Sequence, residues 1–377
     1  MSLFALLPPT RSILKPIVVL AVGLMLGACS TMGYYAHVAG GQGALVLHRE
    51  PVAKVMDDPA TDPAVKQRLA LSQQARRFAS ERLGLPDNRS YTSYVKLDRP
   101  YVVWNVLATP RYSVEPIQHC FFIAGCVAYR GYFEHGKAKA EAARLEAKGN
   151  DVYVSGVSAY STLGWFADSI LSSMMRWDDD ELVGTIFHEL AHQLLYVKDD
   201  SAFNESFASF VQEEGLRQWR QSRGLPPQDD HVKAMDDGFT KLALDLRERL
   251  KTLYTSGADE AALAAGKAHE IEAFRIRYAQ WREREWPHDH SYDAWVAAPI
   301  NNARLLPFGL YDRWTPAFAL MFAQAEQQWP AFYASVRELS RLAPAQREKA
   351  LQQWLDAAAP AKPVAGDEAS RAPGDLR

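Results

Sequence analysis

The chain has 377 residues, of which 48% are hydrophobic and 11% aromatic, and its formal net charge is −3. A chain of this length and composition can bury a sizeable core, in one large domain or in two closely packed ones. The charge is too near neutral to favour a nucleic-acid partner, and no internal repeat is visible.

The first segment, residues 1–28, is predicted to be an export signal. Two basic residues precede an apolar run at 16–28, which is too short to span a bilayer as a stable helix but is typical of a signal peptide. The run ends in LGAC, at Cys29, and resembles the lipobox of bacterial lipoproteins, in which the cysteine is lipidated. An ordinary signal peptide is the alternative. Ser30 is not the aspartate that retains lipoproteins in the inner membrane, so the resemblance implies an outer-membrane anchor that faces the periplasm.

The rest of the chain is predicted to form an α+β fold that is predominantly helical. Residues 29–60 are a tether and entry segment, and residues 61–167 form an α+β half. The elements predicted in that half are a helix at Ala64–Leu83, a strand–turn–strand unit at Tyr91–Pro110, a strand-prone run at Cys120–Phe133, a helix at His135–Lys148 and a strand at Asp151–Val157. Residues 168–358 are helical almost throughout, and residues 359–377 are predicted to be disordered. The small sheet would pack on the helical half, with the chemistry where the two meet.

Two cysteines, Cys120 and Cys126, remain in a chain that is predicted to be exported. An oxidising compartment favours pairing them, and the loop that they would close is short. We predict a structural disulfide. Two buried thiols in an apolar segment are the alternative.

The segment from Glu181 to Tyr196 contains the sequence His-Glu-Leu-Ala-His, with its histidines at His188 and His192. Residues four apart lie on one face of a helix, so two imidazoles can hold one metal ion. Glu189 can then take a proton from a water molecule on that ion. Apolar residues cover most of the remaining helix surface, which predicts a buried helix with one polar stripe. We predict one Zn²⁺ ion, with Glu189 as the general base.

A catalytic zinc ion usually has three protein ligands and one position for water. We assign the third ligand to Glu205. The first helix is expected to end near Val197, and His192 and Glu205 then lie at similar distances from the turn in two antiparallel helices. Glu213, two turns further along the second helix, is the alternative ligand.

The two motifs, HELAHQ and NESFA, resemble those of the gluzincin metallopeptidases, in which HExxH is followed by NExxA on the next helix. Over most of residues 29–358 the chain resembles a family of bacterial lipoproteins described as zinc aminopeptidases, including the stretches Val157–Trp165 and Asn301–Ala303. The resemblance implies a zincin-like fold with the HExxH helix at the cleft, and the same three ligands and general base. The gap between the motifs is shorter than gluzincins usually have, which keeps Glu213 open as a ligand.

Peptidases of this kind bind substrate as an extra strand beside a sheet edge. Val154–Tyr160 lies where gluzincins place that strand, and an ordinary core strand is the alternative. No glutamate is present at 152–164 to hold a free amine of the substrate, and Asp168 is a weak substitute. Tyr311 is the candidate donor to the carbonyl oxygen in the transition state, with Tyr160 as its rival.

These features predict a lipid-anchored, periplasm-facing zinc peptidase, with an aminopeptidase as the favoured type. An envelope endopeptidase with the same zinc site is the first alternative, because no amine anchor is evident. A non-catalytic lipoprotein that keeps metal for stability and acts as a binding or assembly factor is the second. The expected partners are peptide substrates and, through the lipid anchor, the membrane.

Overall fold

The computed structural model describes residues 32–121, 125–308 and 313–358, and within them the fold is α+β and mostly helical, as predicted. The helices are α1 (32–47), α2 (Val52–Asp57), α3 (Pro63–Arg82), α4 (His135–Glu146), α5 (Asp179–Leu194), α6 (Ser201–Ser222), α7 (Asp230–Tyr254), α8 (Glu260–Glu285), α9 (Asp293–Ala297), α10 (Thr315–Gln324), α11 (Trp329–Ser340) and α12 (Pro344–Ala358). Short 3-10 helices cover Ser172–Arg176 and Asn302–Leu305. The strands are β1 (Glu50–Pro51), β2 (Ser93–Val95), β3 (Val103–Pro110), β4 (His119–Phe121), β5 (Gly125–Val127), β6 (Tyr129–Tyr132), β7 (Asn150–Val157) and β8 (Ile170–Leu171). Within the described ranges, no helix is both long and apolar enough to cross a membrane.

The central sheet has three antiparallel strands in the order β6–β3–β7. Side chains alternate between the two faces of a sheet. One face packs against α4 in an apolar core formed by Trp104, Val106, Ala108, Tyr132, Ala138, Ala142, Leu145 and Val152. The opposite face carries Asn105 on β3, Ser155 on β7 and Tyr129 on β6, and it is turned toward α5 and α6.

A second small sheet places β2 between β1 and β8, antiparallel to β1 and parallel to β8. The predicted strand–turn–strand unit at Tyr91–Pro110 is therefore right about the strands but wrong about their pairing, since β2 and β3 belong to different sheets. After β2, the Leu97 N–H donates to Ser172 Oγ (2.8 Å) rather than to a facing strand. Pro100 follows, and it has no N–H to donate to a ladder.

The largest core contains elements from both predicted halves of the chain. Its buried members include Leu69 on α3, Val95 on β2, Phe187 on α5, Phe207 on α6 and Phe318 on α10. A second core lies between α7 and α8 and is centred on aromatic residues of these helices. The boundary predicted after residue 167 thus passes through a shared core.

The entry segment carries more structure than the sequence indicates. Helices α1 and α2 lie within the predicted tether at 29–60, and Val52 and Val55 are buried in the largest core. Their burial against neighbouring elements stabilises a helix of six residues that local propensity alone would not hold. The predicted signal segment, the lipidation candidate Cys29 and the tail at 359–377 lie outside the described residues.

Cys120 and Cys126 are bonded to each other and join β4 to β5 in a hairpin. The hairpin packs on the turn between α5 and α6. The Cys126 N–H donates to Asp199 Oδ1 (2.6 Å), and a Cβ added to Gly125 would come within 2.8 Å of Lys198 Cγ. Gly125 also has a φ of +78°, so both its backbone and its lack of a side chain suit this contact.

Replacing Cys120 and Cys126 together with serine is expected to lower the free energy of unfolding by about 2 kcal/mol, because the bond closes a short loop and restricts the unfolded chain. Urea denaturation followed by circular dichroism measures the change. A reductant should produce the same loss in the wild-type protein and no effect in the double variant. An unchanged unfolding midpoint in the variant would contradict this expectation.

Candidate metal centre

Helix α5 carries the HExxH motif and is buried on most sides. Asp178 caps its N-terminus by accepting a hydrogen bond from the Glu181 N–H (2.7 Å), and three acidic residues in the first turn suit the helix dipole. The apolar residues buried in the core are Leu182, Val183, Ile186, Phe187, Leu190 and Ala191. The polar stripe, which includes Thr185, His188 and Glu189, lines a cleft.

A hydrogen-bonded turn brings Glu205 alongside the histidines. Asp200 caps α6 by accepting a hydrogen bond from the Phe203 N–H (3.1 Å). Asn204 is only 1% exposed; its Oδ1 accepts from the Val197 N–H and its Nδ2 donates to the Val197 carbonyl, both at 2.7 Å. Because Glu205 is the next residue, the asparagine of the NExxA motif fixes the start of the helix that presents the glutamate.

His188, His192 and Glu205 form a compact cluster. The Nε2 atom of His188 lies 3.1 Å from Nε2 of His192 and 3.3 Å from Oε2 of Glu205, and the latter two atoms are 3.6 Å apart. In a tetrahedral site with zinc bonds of about 2.0–2.2 Å, neighbouring ligand atoms are roughly 3.3–3.6 Å apart. The donor set therefore fits zinc in chemistry and in spacing. No second group of three such ligands occurs in the part of the chain that the structure describes.

Burial has different outcomes for the two carboxyl groups of the site. For Glu189, burial raises the pKa; His188 opposes the rise and the carboxylates of Glu205 and Asp168 add to it, which leaves the pKa at about 7. For Glu205, burial would also raise the pKa, but hydrogen bonds to His188 and His192 and their charge lower it well below its usual value. Glu205 is thus a charged carboxylate, as a metal ligand must be.

Glu213, the alternative third ligand, is engaged elsewhere. Its Oε1 accepts a hydrogen bond from Lys233 Nζ (3.1 Å) on α7. It lies two turns beyond Glu205 on α6 and is not part of the cluster around the imidazoles. The fold brings Glu205, and not Glu213, to the histidines.

His188, one of the three cluster residues, lines a cleft of about 640 Å³ between α5 and α6 on one side and the central sheet on the other. We call the helical side the floor and the sheet side the roof. The floor includes Glu181, Thr185, His188, Glu189, Gln212 and Glu213. The roof includes Asn105, Leu107, Tyr129 and residues 155–159. Most of the predicted substrate-edge segment, Val154–Tyr160, thus belongs to the roof.

The other residues considered for substrate contact do not line the cleft or lie outside the described ranges. Asp168 is buried and accepts hydrogen bonds from a neighbouring threonine and from Gln193 Nε2 (3.0 Å), so its carboxylate is occupied as a structural acceptor. The Tyr160 hydroxyl donates to the side chain of Gln42. Tyr311 lies outside the described residues.

Two roof residues are missing from the sequence predictions. Asn105 lies in the middle of β3, where asparagine is uncommon, so its strand position is a signal that a sequence reading could use. Tyr129 opens β6 and carries no such signal, because aromatic residues are common in strands. Their place in the cleft follows from the register of three strands.

Replacing Asn204 with alanine is expected to lower the free energy of unfolding by about 2 kcal/mol, because the N–H and carbonyl of the half-buried Val197 lose hydrogen bonds worth about 1 kcal/mol each. Zinc affinity should fall as well, since the turn that presents Glu205 loosens. Urea denaturation and zinc titration measure the two effects. Asn150→Ala, which removes one hydrogen bond at the end of α4, is the control and should leave zinc affinity unchanged. Wild-type zinc affinity in Asn204→Ala would contradict the link to Glu205.

The fold and the cluster define an α+β protein with a His–His–Glu site beside a cleft. The chain matches the model of the family described as "Putative aminopeptidase" over residues 33–351, and it belongs to that family. The match runs from α1 into α12 and includes the cluster, the floor and the roof. The family description points to peptidase activity. No curated protein and no solved structure is significantly similar to the chain.

Proposed function

We propose that the chain is a zinc-dependent peptidase, of the aminopeptidase type, that hydrolyses peptide bonds in the cleft between roof and floor. The observation that carries the proposal is the convergence of His188, His192 and Glu205 at the spacing of zinc ligands, beside Glu189. A cleft of about 640 Å³ has room for a short peptide. The family description supports a peptide bond as the bond that is cut.

Zinc held by the three residues would act as a Lewis acid and lower the pKa of a water molecule toward neutrality. Glu189 would accept a proton from a water molecule as the water oxygen attacks the carbonyl carbon of the peptide. The C–N bond then breaks, and Glu189 passes the proton to the amine that leaves. Glu189 follows His188 directly in the chain and lines the same cleft, so the base lies beside the ligands without being one of them.

The free edge of β7 is the proposed binding place for an extended substrate. Within the described ranges, β7 pairs with β3 along one edge and with no strand along the other. On the other edge, the carbonyls of Val152 and Ser158 accept hydrogen bonds from side chains of neighbouring segments (2.8 and 2.5 Å). Because backbone groups alternate between the two edges of a strand, those of Val154 and Gly156 point to the same edge, and Gly156 lines the cleft. A substrate strand would pair with these two residues.

The choice of an aminopeptidase rests on the family description and not on an amine anchor. No acidic residue occurs at 152–164, and Asp168 does not line the cleft. Glu181 and Glu213 do line it, but each lies two helical turns from the ligand cluster along its helix. The lack of an acidic residue placed to hold a free amine favours an envelope endopeptidase with the same zinc site as a second candidate.

We also propose that the protein is exported and lipid-anchored at Cys29, facing the periplasm from the outer membrane. The apolar run and the LGAC sequence before Ser30 support this placement. The bond between Cys120 and Cys126 suits an oxidising compartment. Mass spectrometry of the mature N-terminus should find a lipidated cysteine, and an unmodified N-terminus upstream of Cys29 would contradict the anchor.

Zinc content and peptide cleavage, measured on the same preparation, test the proposed function. We expect one zinc ion per chain and cleavage of aminoacyl chromogenic substrates. Cleavage of N-blocked peptides at internal bonds would favour the endopeptidase instead. If zinc-loaded protein cuts no peptide of either kind, the peptidase proposal fails, and a metal-stabilised binding or assembly factor is left.

A further inference from the structure

One tyrosine of the roof, Tyr129, lies across the cleft from His188 and Glu189. The β4–β5 hairpin is tied to the turn between α5 and α6 through the bond from the Cys126 N–H to Asp199 Oδ1 (2.6 Å). β6 begins two residues after this hairpin, so the contact holds its first residue, Tyr129, close to the turn that leads to Glu205. The side chain of Tyr129 lies on the roof face and lines the cleft together with Glu189.

The Tyr129 hydroxyl is a hydrogen-bond donor on the roof side of the cleft. Tyr129 is 42% exposed, and it lines the cleft. Among the described residues, no acceptor is hydrogen-bonded to this hydroxyl. Tyr129 therefore offers a proton donor to whatever occupies the cleft.

We infer that Tyr129 is a catalytic residue whose phenol donates a hydrogen bond to the carbonyl oxygen of the peptide bond being cut, an inference that rests on the proposed function. As water adds to the carbonyl carbon, this oxygen gains negative charge, and a donor fixed in advance lowers the barrier. Glu189 cannot be that donor, because it holds the proton taken from water. Tyr129 supplies the donor from the opposite wall of the cleft.

Other donors suit this task less well. The Tyr160 hydroxyl is already bonded to Gln42, and Tyr160 does not line the cleft. Asn105 is another polar residue of the roof, but it lies two cross-strand rows from Tyr129, beside Ser155. Its amide is better placed to contact another part of the substrate backbone than the bond beside Glu205.

Tyr129→Phe tests the inference with the smallest change in shape. We expect kcat to fall by about 10²–10³-fold with an unchanged KM, because the lost bond forms in the transition state. Zinc stoichiometry and the unfolding midpoint should match the wild type. Tyr153→Phe is the matched control: Tyr153 shares the cross-strand row of Tyr129 through Leu107 but does not line the cleft, so its kcat should stay at the wild-type value.

Ligand binding gives a readout that does not depend on turnover. A phosphinic peptide, whose tetrahedral phosphorus imitates the attacked carbonyl, should bind Tyr129→Phe more weakly by the same factor by which kcat/KM falls. An ordinary peptide, bound in a Glu189→Gln background to prevent cleavage, should bind equally well with and without the Tyr129 hydroxyl. Calorimetry measures both dissociation constants.

The outcomes separate this inference from the function on which it rests. Equal phosphinate affinity and an unchanged kcat in Tyr129→Phe would overturn the inference, while wild-type cleavage would leave the peptidase proposal intact. An equal loss of affinity for both ligands would make Tyr129 a substrate-binding residue and overturn its catalytic role. A wild-type protein that cuts no peptide would overturn both proposals.

Discussion

Replacing Glu189 with glutamine is expected to lower kcat by about 10²–10⁴-fold, the usual contribution of a general acid–base group. The amide has nearly the size of the carboxyl group but cannot take a proton from water or pass one to the leaving amine. His188, His192 and Glu205 are unchanged, so the protein should still hold one zinc ion per chain. Steady-state kinetics and metal analysis of the same sample measure the two quantities.

The control for this experiment is Glu214→Gln. Glu214 lies on α6, accepts hydrogen bonds from Arg217 (2.6 Å) and Gln218 (2.7 Å), and does not line the cleft. The Glu214→Gln variant should keep wild-type kinetics. That result would show that the loss of a glutamate near the site does not by itself lower the rate. If Glu189→Gln keeps wild-type kcat with zinc bound, Glu189 is not the general base. If it loses zinc, the lower rate says nothing about proton transfer, and the rate is then measured at saturating zinc.

The long helices follow from local sequence signals. The helix predicted at Ala64–Leu83 is observed at Pro63–Arg82, and the one predicted to start at His135 starts there. Asp62 caps the first of these helices, and Gly84, with a φ of +67°, follows its end. Each signal lies within a few residues of the feature that it predicts, so no knowledge of the tertiary fold is needed.

Strand pairing could not be read in the same way. The two-residue strand β8, Ile170–Leu171, lies in a segment that the sequence predicts to be helical, and it is a strand because β2 pairs with it. Two residues show no periodicity, and the partner is more than 70 residues away in the chain. Tertiary contacts, rather than local preference, determine this element.

In the candidate site, too, the features set by local sequence were predictable and those set by tertiary contacts were not. The spacing of His188 and His192 on one helix face is a local property, so the sequence alone predicts it. The prediction of Glu205 as a ligand also required the geometry of the turn between α5 and α6. The structure shows what holds that turn, which is the pair of hydrogen bonds between the Asn204 side chain and the Val197 backbone. The roof could not be predicted from the sequence, because it combines strands from three separate parts of the chain.

Replacing Glu205 with glutamine is expected to weaken zinc binding by more than about 100-fold. Changing a residue that only supports a metal ligand already costs about 10–100-fold in affinity, and Glu205 is itself a ligand. Its carboxylate would also be the negatively charged ligand of the three, since an imidazole binds a metal ion in its neutral form. Competition against a zinc-binding dye measures the dissociation constant, and peptide cleavage should disappear at limiting zinc.

Glu213→Gln is the comparison that makes this result specific to one carboxylate. Glu213 lies on the same helix and lines the same cleft, but it pairs with Lys233 and stands apart from the imidazoles. The test uses one zinc concentration, 100 times the dissociation constant of the wild-type protein. It should stabilise the folded state by about 2.7 kcal/mol in the wild type and in Glu213→Gln, and by far less in Glu205→Gln. The reverse pattern would make Glu213 the third ligand. Equal stabilisation in both variants would leave two imidazoles without a carboxylate ligand, and the three-ligand site on which the hydrolytic mechanism depends would be excluded.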